Sequence, residues 1–299
     1  MPEQTAASTF PDLDDRDRLS NATVDLPIEP LIKIRARRRL DLINLREVWE
    51  HRELLYFMIW RELKSRYKQT LLGVLWVILQ PLLMTLVFTF FLGTLVRVHT
   101  GAVPYPLFLY AGLLPWTFFS NSVSTGSYSV LANSHMITKV YMPRLILPAA
   151  AVGVRLADFV VASLVLIVLM RYYGVPFGPR MLLLPVLVLE ITLLALALGA
   201  LLSALNVKYR DTGTALPVLL QAWMFASPIV YPRTYVPSKW EWAYQLNPLT
   251  GIIESFRSAF LGLPINRQGL VLSGLVTITT LVIALFVFRH LEDEFADIV

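Results

Sequence analysis

The chain has no cysteine in 299 residues, which excludes disulfide staples, thiolate catalysis and cysteine-built metal sites. None of its 14 glycines is followed by lysine, so the Gly-x-x-x-x-Gly-Lys-[Ser/Thr] phosphate loop is absent and the chain is not a conventional ATPase by itself. His51, His99, His135 and His290 are scattered, without metal-ligand spacing or a paired carboxylate, so no catalytic residue and no metal site is assigned. Charge is also scarce. Charged residues make up 16% and hydrophobic ones 56%, a balance far from that of a soluble globular chain. The expected fold class is an all-α polytopic membrane protein. The formal charge of +5 does not point to nucleic acid, because about half of the 26 Lys and Arg precede residue 69, where they act as a topology signal at the membrane edge.

What is present is organised around residues 54–96. The first half of this stretch reads LLYFMIWRELKSRYKQT, with Arg61, Lys64, Arg66 and Lys68, and the second reads LLGVLWVILQPLLMTLVFTFFLGTLV. A hydrocarbon core about 30 Å thick takes roughly 20 helical residues at 1.5 Å each, and the second half supplies them. A membrane span is predicted there, with the cations before it held at the cytoplasmic leaflet. Gln80-Pro81 within it predicts a bent helix, since proline removes a backbone donor.

Residues 1–30, with Asp12, Asp14, Asp15, Asp17, Asp25 and Glu29 among few large apolar residues, are predicted to be a disordered acidic cytoplasmic tail. They lack the basic start and apolar core of a signal peptide. Residues 31–69 form a basic amphipathic interface region, in which Leu42, Leu45, Trp49, Tyr56 and Ile59 recur at helical spacing. That face suits lipid and a cytoplasmic protein partner equally. Residues 70–290 are predicted to hold six transmembrane helices and 291–299 a cytoplasmic tail. After the first span, further spans fall at 107–130, 149–170, 181–205, 216–231 and 270–288. Residues 131–148 form a cytoplasmic elbow that Pro143 keeps from being one helix. Residues 232–269 carry Trp240, Trp242 and Tyr244, side chains that favour the membrane interface, and are predicted to form short external helices between spans five and six. Six spans leave both termini in the cytoplasm. Over residues 31–299 this places 16 Lys and Arg inside and seven outside, with Arg155 in a span.

Ionisable residues within spans are expensive and therefore informative. Arg155 and Asp158 lie three apart on one helical face, a spacing at which they can pair with each other. Glu190 has no local partner, leaving a cationic neighbour, a place on a transport path or protonation all open. So few charges argue against a proton-coupled carrier or a charge-ringed pore. Aromatic residues are the richer feature. Phe88 and Phe91 in the first span, Trp116 and Phe119 in the second, and Trp223 and Phe225 in the fifth are candidates to present flat faces to a sugar chain, beside the alternative of packing or interfacial belts.

At residues 52–84 (RELLYFMIWRELKSRYKQTLLGVLWVILQPLLM), Gly112 to Trp116 (GLLPW), 137–148 (ITKVYMPRLILP), 207–211 (VKYRD), 227–231 (SPIVY) and 247–257 (NPLTGIIESFR), the chain resembles the permease subunit of polysaccharide-exporting ATP-binding-cassette transporters, the group of O-antigen, teichoic acid and galactan exporters. The resemblance covers residues 45–289. It implies a homodimer of six-span subunits, paired with two copies of a separate ABC ATPase that binds ATP and magnesium, while this chain binds no cofactor. The cargo it implies is a lipid-linked polysaccharide on a polyprenyl diphosphate, moved across the bacterial inner membrane. It also implies an ATPase-coupling helix at Ile137, Lys139, Tyr141, Pro143 and Arg144, and external helices holding Trp240, Trp242, Tyr244, Asn247, Pro248 and Arg257. Arg61, Arg66 and Lys68 are candidates for the lipid diphosphate, as charge-assisted donors at the cytoplasmic edge. Two other classes stay open. A membrane glycosyltransferase or ligase needs a carboxylate or histidine constellation, for which the run at 14–17 is a poor substitute. A small-molecule exporter permease would not be expected to carry the dense run at 52–84.

Overall fold

The computed structural model describes residues 45–68, 73–137, 139, 142–292 and 295. The acidic segment 1–30, the basic run 31–39 and Tyr141 lie outside the described residues, as does most of 291–299. All described residues belong to one unit, 42–299, and among them every regular element is helical.

The interface region forms two helices, α1 (Leu45–Glu50) and α2 (Arg52–Lys68). Val48, Leu54, Leu55, Met58 and Ile59 turn inward to a hydrophobic cluster, and Trp49, Tyr56, Phe57 and Trp60 are exposed. The predicted apolar face is therefore two faces, one packed and one free. Helix α3 (Leu75–Phe88) continues into a π-helical segment, Thr89–Leu95. Pro81 sits inside it as expected, and the Thr85 hydroxyl donates to the Pro81 carbonyl at 2.7 Å.

Helix α4 (Tyr105–Ala132) is the centre of the molecule. The predicted span 107–130 is one unbroken helix despite Pro115 and its run of hydroxyl residues. A buried stripe of Ser122, Gly126 and Ser129 faces α7 (Leu184–Lys208). There, a methyl group placed on Gly126 would lie 3.0 Å from the Gly199 Cα. Small residues let two backbones approach, which is how helices gain contact where solvent does not drive them together. Two of the hydroxyls are satisfied within their own helices, Ser129 on the Gly126 carbonyl at 2.7 Å and Ser203 on that of Ala200 at 2.8 Å, while that of Ser122 is buried without a partner. Helix α6 (Ile146–Tyr172) packs on the other side of α4 and also carries α2.

The elbow before α6 contains one short helix, α5 (Ser134–Ile137), and Met142 and Pro143 belong to no regular element, in keeping with the helix-breaking effect of proline. The fifth predicted span is shorter than expected. Helix α8 (Asp211–Phe225) stops six residues before Tyr231, because Pro228 disfavours a helical Ser227 and because the carbonyls of 228–230 are taken by side chains of other helices. Two short helices follow, α9 (Glu241–Leu246) and α10 (Pro248–Leu261), and then α11 (Arg267–Glu292). Helix α10 has complete end signals. Asn247 caps it by accepting from the Leu249 amide at 3.1 Å, Pro248 takes its first turn, and Gly262 closes it in the left-handed conformation at φ 71°.

One expectation about this region changes. Trp240 and Trp242 are exposed as interfacial residues would be, but α10 does not rest on a surface: every residue in it except Glu254 is buried, against α4, α7 and α11. Among the described residues, four segments are both long and apolar enough to cross a membrane, Leu75–Leu95, Ile146–Tyr172, Pro179–Lys208 and Arg267–Glu292. Helix α4 is long enough but rich in serine, and α8 has only 15 residues.

Candidate functional site

Three regions hold the predicted residues, and Trp223 belongs to both the first and the third. The first is a cap that joins three stretches distant in sequence. Arg257 of α10 is 3% exposed. Its Nε donates to the Phe108 carbonyl at 3.1 Å, and its two Nη atoms donate to the carbonyls of Pro228 and Ile229. The guanidinium carbon lies 3.6 Å from the centroid of the Phe108 ring. Burial pulls the guanidinium down to about 9, which still leaves it protonated at neutral pH. The space it occupies exists because residue 112 is glycine; a methyl group there would sit 2.4 Å from Nη2. Asn247 adds a second clasp, accepting from Trp223 Nε1 at 3.1 Å and donating to Ser227 Oγ at 2.9 Å. Tyr105 donates to the Val230 carbonyl at 2.8 Å. Outside this, Arg233 pairs with Glu241 at 2.7 Å and reaches Glu254 at 3.5 Å, and the hydroxyls of Tyr231 and Tyr244 share a hydrogen bond.

The second region is where α2 meets α4 and α6. The three cations expected to share one anion point to three places. Arg61 reaches the start of the elbow, donating to Asn133 Oδ1 at 3.3 Å and contacting Met136 Sδ at 3.4 Å. Arg66 turns to α6 and pairs with Asp158 at 3.0 Å. Lys68 is exposed. Arg155 pairs with Asp158 at 3.2 Å, as the spacing suggested, but the carboxylate also accepts from Arg66 and from the Tyr67 hydroxyl. Burial first, and then this hydrogen bond, push the Tyr67 phenol up to about 12, so it is a donor at neutral pH. Sequence alone had no means to find the Arg66–Asp158 contact, which spans 92 positions; the charge on Asp158 within an apolar helix was its one visible sign.

The third region is the set of helix faces. Phe91 and Phe225 are half exposed, while Trp116 and Phe119 are buried in the core with Phe119 edge-on to Trp223 at 5.4 Å between centroids. Phe88 and Trp223 are partly buried against the same cluster. Among the described residues Glu190 pairs with no cation; it accepts from Ser273 of α11 at 2.7 Å. In the elbow Lys139 is exposed, Ile137 and Arg144 are partly buried and Pro143 is buried, and the Arg144 guanidinium lies over the Phe295 ring at 5.6 Å.

The helical core, the cap built from the 112–116, 227–231 and 247–257 motifs, and the membrane-length helices are matched by known proteins. Residues 53–261 match the ABC-2 type transporter family. The chain belongs to that family. It is 33% identical over 258 residues to an O-antigen export system permease protein of Myxococcus xanthus, covering 85% of this chain and 98% of that one. It is 28% identical over 248 residues to an O-antigen export system permease protein of Klebsiella pneumoniae, covering 82% and 95%. A polysialic acid transport protein of Escherichia coli is 26% identical over 237 residues, covering 78% and 91%. This ABC-2 chain is thus a membrane-embedded, non-catalytic transport subunit. The family match at 53–261 takes in α2 from its second residue through α10, while α1 and α11 lie outside it.

Proposed function

We propose that this chain is the permease half of an exporter that carries a polysaccharide, attached to a polyprenyl diphosphate, outward across the bacterial inner membrane, with energy from a separate ABC ATPase. The observation that carries the reading is the near full-length match to permeases named for O-antigen and for polysialic acid: different glycans, one transporter type. Two copies of this chain form the path and two copies of the ATPase hold ATP and magnesium. The chain crosses the membrane six times, counting α4 and α8 with the four longer apolar segments, and both termini are cytoplasmic. The packing of Met58 of α2, Met142 and Leu145 of the elbow, and Phe288, Leu291 and Phe295 in one cluster supports a single cytoplasmic end for all three.

In this reading α3 and α8 supply the path. Leu83, Leu86, Phe90 and Phe91 on α3 and Val218, Leu219 and Phe225 on α8 form apolar surface with no covering helix among the described residues; Trp116, Phe119 and Trp223 are the wall behind it, and Glu190 lies to one side. The elbow at Ile137, Lys139, Pro143 and Arg144 docks the ATPase, since a short rigid element can be contacted differently in two nucleotide states. Arg61, Arg66 and Lys68 are the first cations met by the diphosphate at the cytoplasmic edge. Copurification with a phosphate-loop ATPase, together with loss of surface polysaccharide and retention of lipid-linked polymer inside when this chain is deleted, is the expected result. ATP hydrolysis or glycosidic bond formation by the purified chain alone would overturn the reading.

A further inference from the structure

Where α9 lies against the start of α11, the two helices leave an open groove of about 520 Å³, lined by Gln245 of α9 and by Arg267, Gln268, Val271, Leu272 and Leu275 of α11. The lining divides along the axis of α11. At one end stand a guanidinium and two primary amides, all exposed, and beyond them the wall is wholly apolar. Among the described residues Arg267 has no hydrogen-bond or ion-pair partner, and no acidic side chain lines the groove. The carboxylates on the neighbouring elements are engaged elsewhere. Glu241 pairs with Arg233 at 2.7 Å, and Glu254 takes Arg233 at 3.5 Å and the Asn266 amide at 3.4 Å. The groove therefore presents an uncompensated positive charge.

Its apolar end continues down the helix. Val271, Leu275, Ile278 and Val282 are exposed at helical spacing, and at 1.5 Å per residue this stripe runs about 16 Å, close to half of a hydrocarbon core about 30 Å thick. Trp242 of α9 is exposed at the polar end, and tryptophan marks the depth of the lipid head groups. We propose that the groove is a site for an anionic phospholipid, with its phosphate on Arg267, Gln245 and Gln268 and one tail along Val271, Leu275 and Ile278. A guanidinium fork and amide N–H groups are the donors that phosphate oxygens take, and the stripe matches one acyl chain in length. A glycan would use the donors and leave the stripe bare. The lipid joins α9 to α11, which flank the buried α10, so its binding adds to the stability of the cap. The site depends on the chain lying in a membrane and not on the identity of the cargo.

Ile278→Cys supplies the only thiol in the chain, on the stripe but outside the groove lining, and carries a bimane label. Full-length chain is placed in phosphatidylcholine nanodiscs with a rising fraction of tail-brominated phosphatidylglycerol or tail-brominated phosphatidylcholine, whose bromines quench the label on contact. Phosphatidylglycerol is expected to reach half-quenching at a fraction about fivefold lower than phosphatidylcholine, and to raise the unfolding temperature. Both differences are expected to vanish in Arg267→Gln and to be partly kept in Arg267→Lys, which retains the charge and loses the fork. Equal quenching by the two lipids would reduce the groove to part of the general lipid belt and overturn the proposal, as would a preference that persists in Arg267→Gln. Absence of quenching by either would show that protein, such as a second copy of this chain, covers the stripe, and overturns it too. Displacement of brominated phosphatidylglycerol by an equal amount of farnesyl diphosphate would give the groove to a prenyl carrier and overturn the phospholipid as its occupant.

Discussion

A guanidinium enclosed by apolar helices persists when its donors and charge are both matched, and Arg257 meets that condition with three carbonyls and the face of Phe108. Two of those carbonyls belong to a chain segment that has just left α8 and lies outside any regular helix, where the side chain stands in for a backbone partner, and the third, in the first turn of α4, takes the guanidinium as an additional donor. Lysine has a single ammonium and no planar fork, and leucine has no donor at all. Arg257→Leu is expected to cost about 3 kcal/mol or more of unfolding free energy, with Arg257→Lys in between; thermal unfolding in detergent measures it. Gly112→Val attacks the same contact from the other side, since even a methyl group at that position overlaps Nη2. It should lower the unfolding temperature alongside Arg257→Leu, and the double variant should lose less than the sum because both remove one contact. Full additivity would show that Gly112 serves something else. Gly112, Ser227 to Tyr231 and Arg257 stand in separate motifs along the chain, and their union was not legible there: proximity between positions so far apart depends on how α4, α8 and α10 dock.

Elements were more legible than contacts. The boundaries of α6, α7 and α11 lie within a few residues of the predicted spans because each is a long apolar run, and hydropathy over some 20 residues is a strong signal. The elbow was visible through its prolines. Helix α10 deceived the pattern: its tryptophan-rich approach and its polar stripe suggested an interfacial helix, but Arg257 and Ser258 of that stripe spend their donors on carbonyls inside the fold, so the stripe is buried as well. Arg144 lies over Phe295 while Lys139 is exposed, so of the two elbow cations Lys139 is the more open. Lys139→Ala with Arg144→Ala is expected to leave basal ATP hydrolysis by the assembled transporter in place while removing its coupling to export, read as hydrolysis per polymer delivered. A double variant that exports at the native ratio would take both cations out of the coupling role.

At the scale of the whole molecule, the packed core is one-sided. Helix α4 is wrapped by α6, α7 and α10 while only 11% of the most apolar window of α3 is buried, an arrangement that suits a half-assembly whose outer helices meet lipid and a second copy. The absence of cysteine makes this directly testable, because every introduced thiol is the only one present. Leu219→Cys, on the exposed face of α8, is expected to yield an oxidant-dependent covalent dimer in membranes, while Val160→Cys on the exposed face of α6 is not; the reverse pattern would move the dimer contact to α6. The amino-acid sequence by itself determined the medium and the class, because burying or exposing so many apolar residues is decided by composition and run length, and it excluded a conventional phosphate-loop ATPase because that loop is a local pattern. Only the tertiary structure decided which charges meet. Asp158 had a neighbour three residues away that looked sufficient, but a carboxylate has room for several donors, and helix packing brought Arg66 and Tyr67 from 92 and 91 positions away to fill the rest.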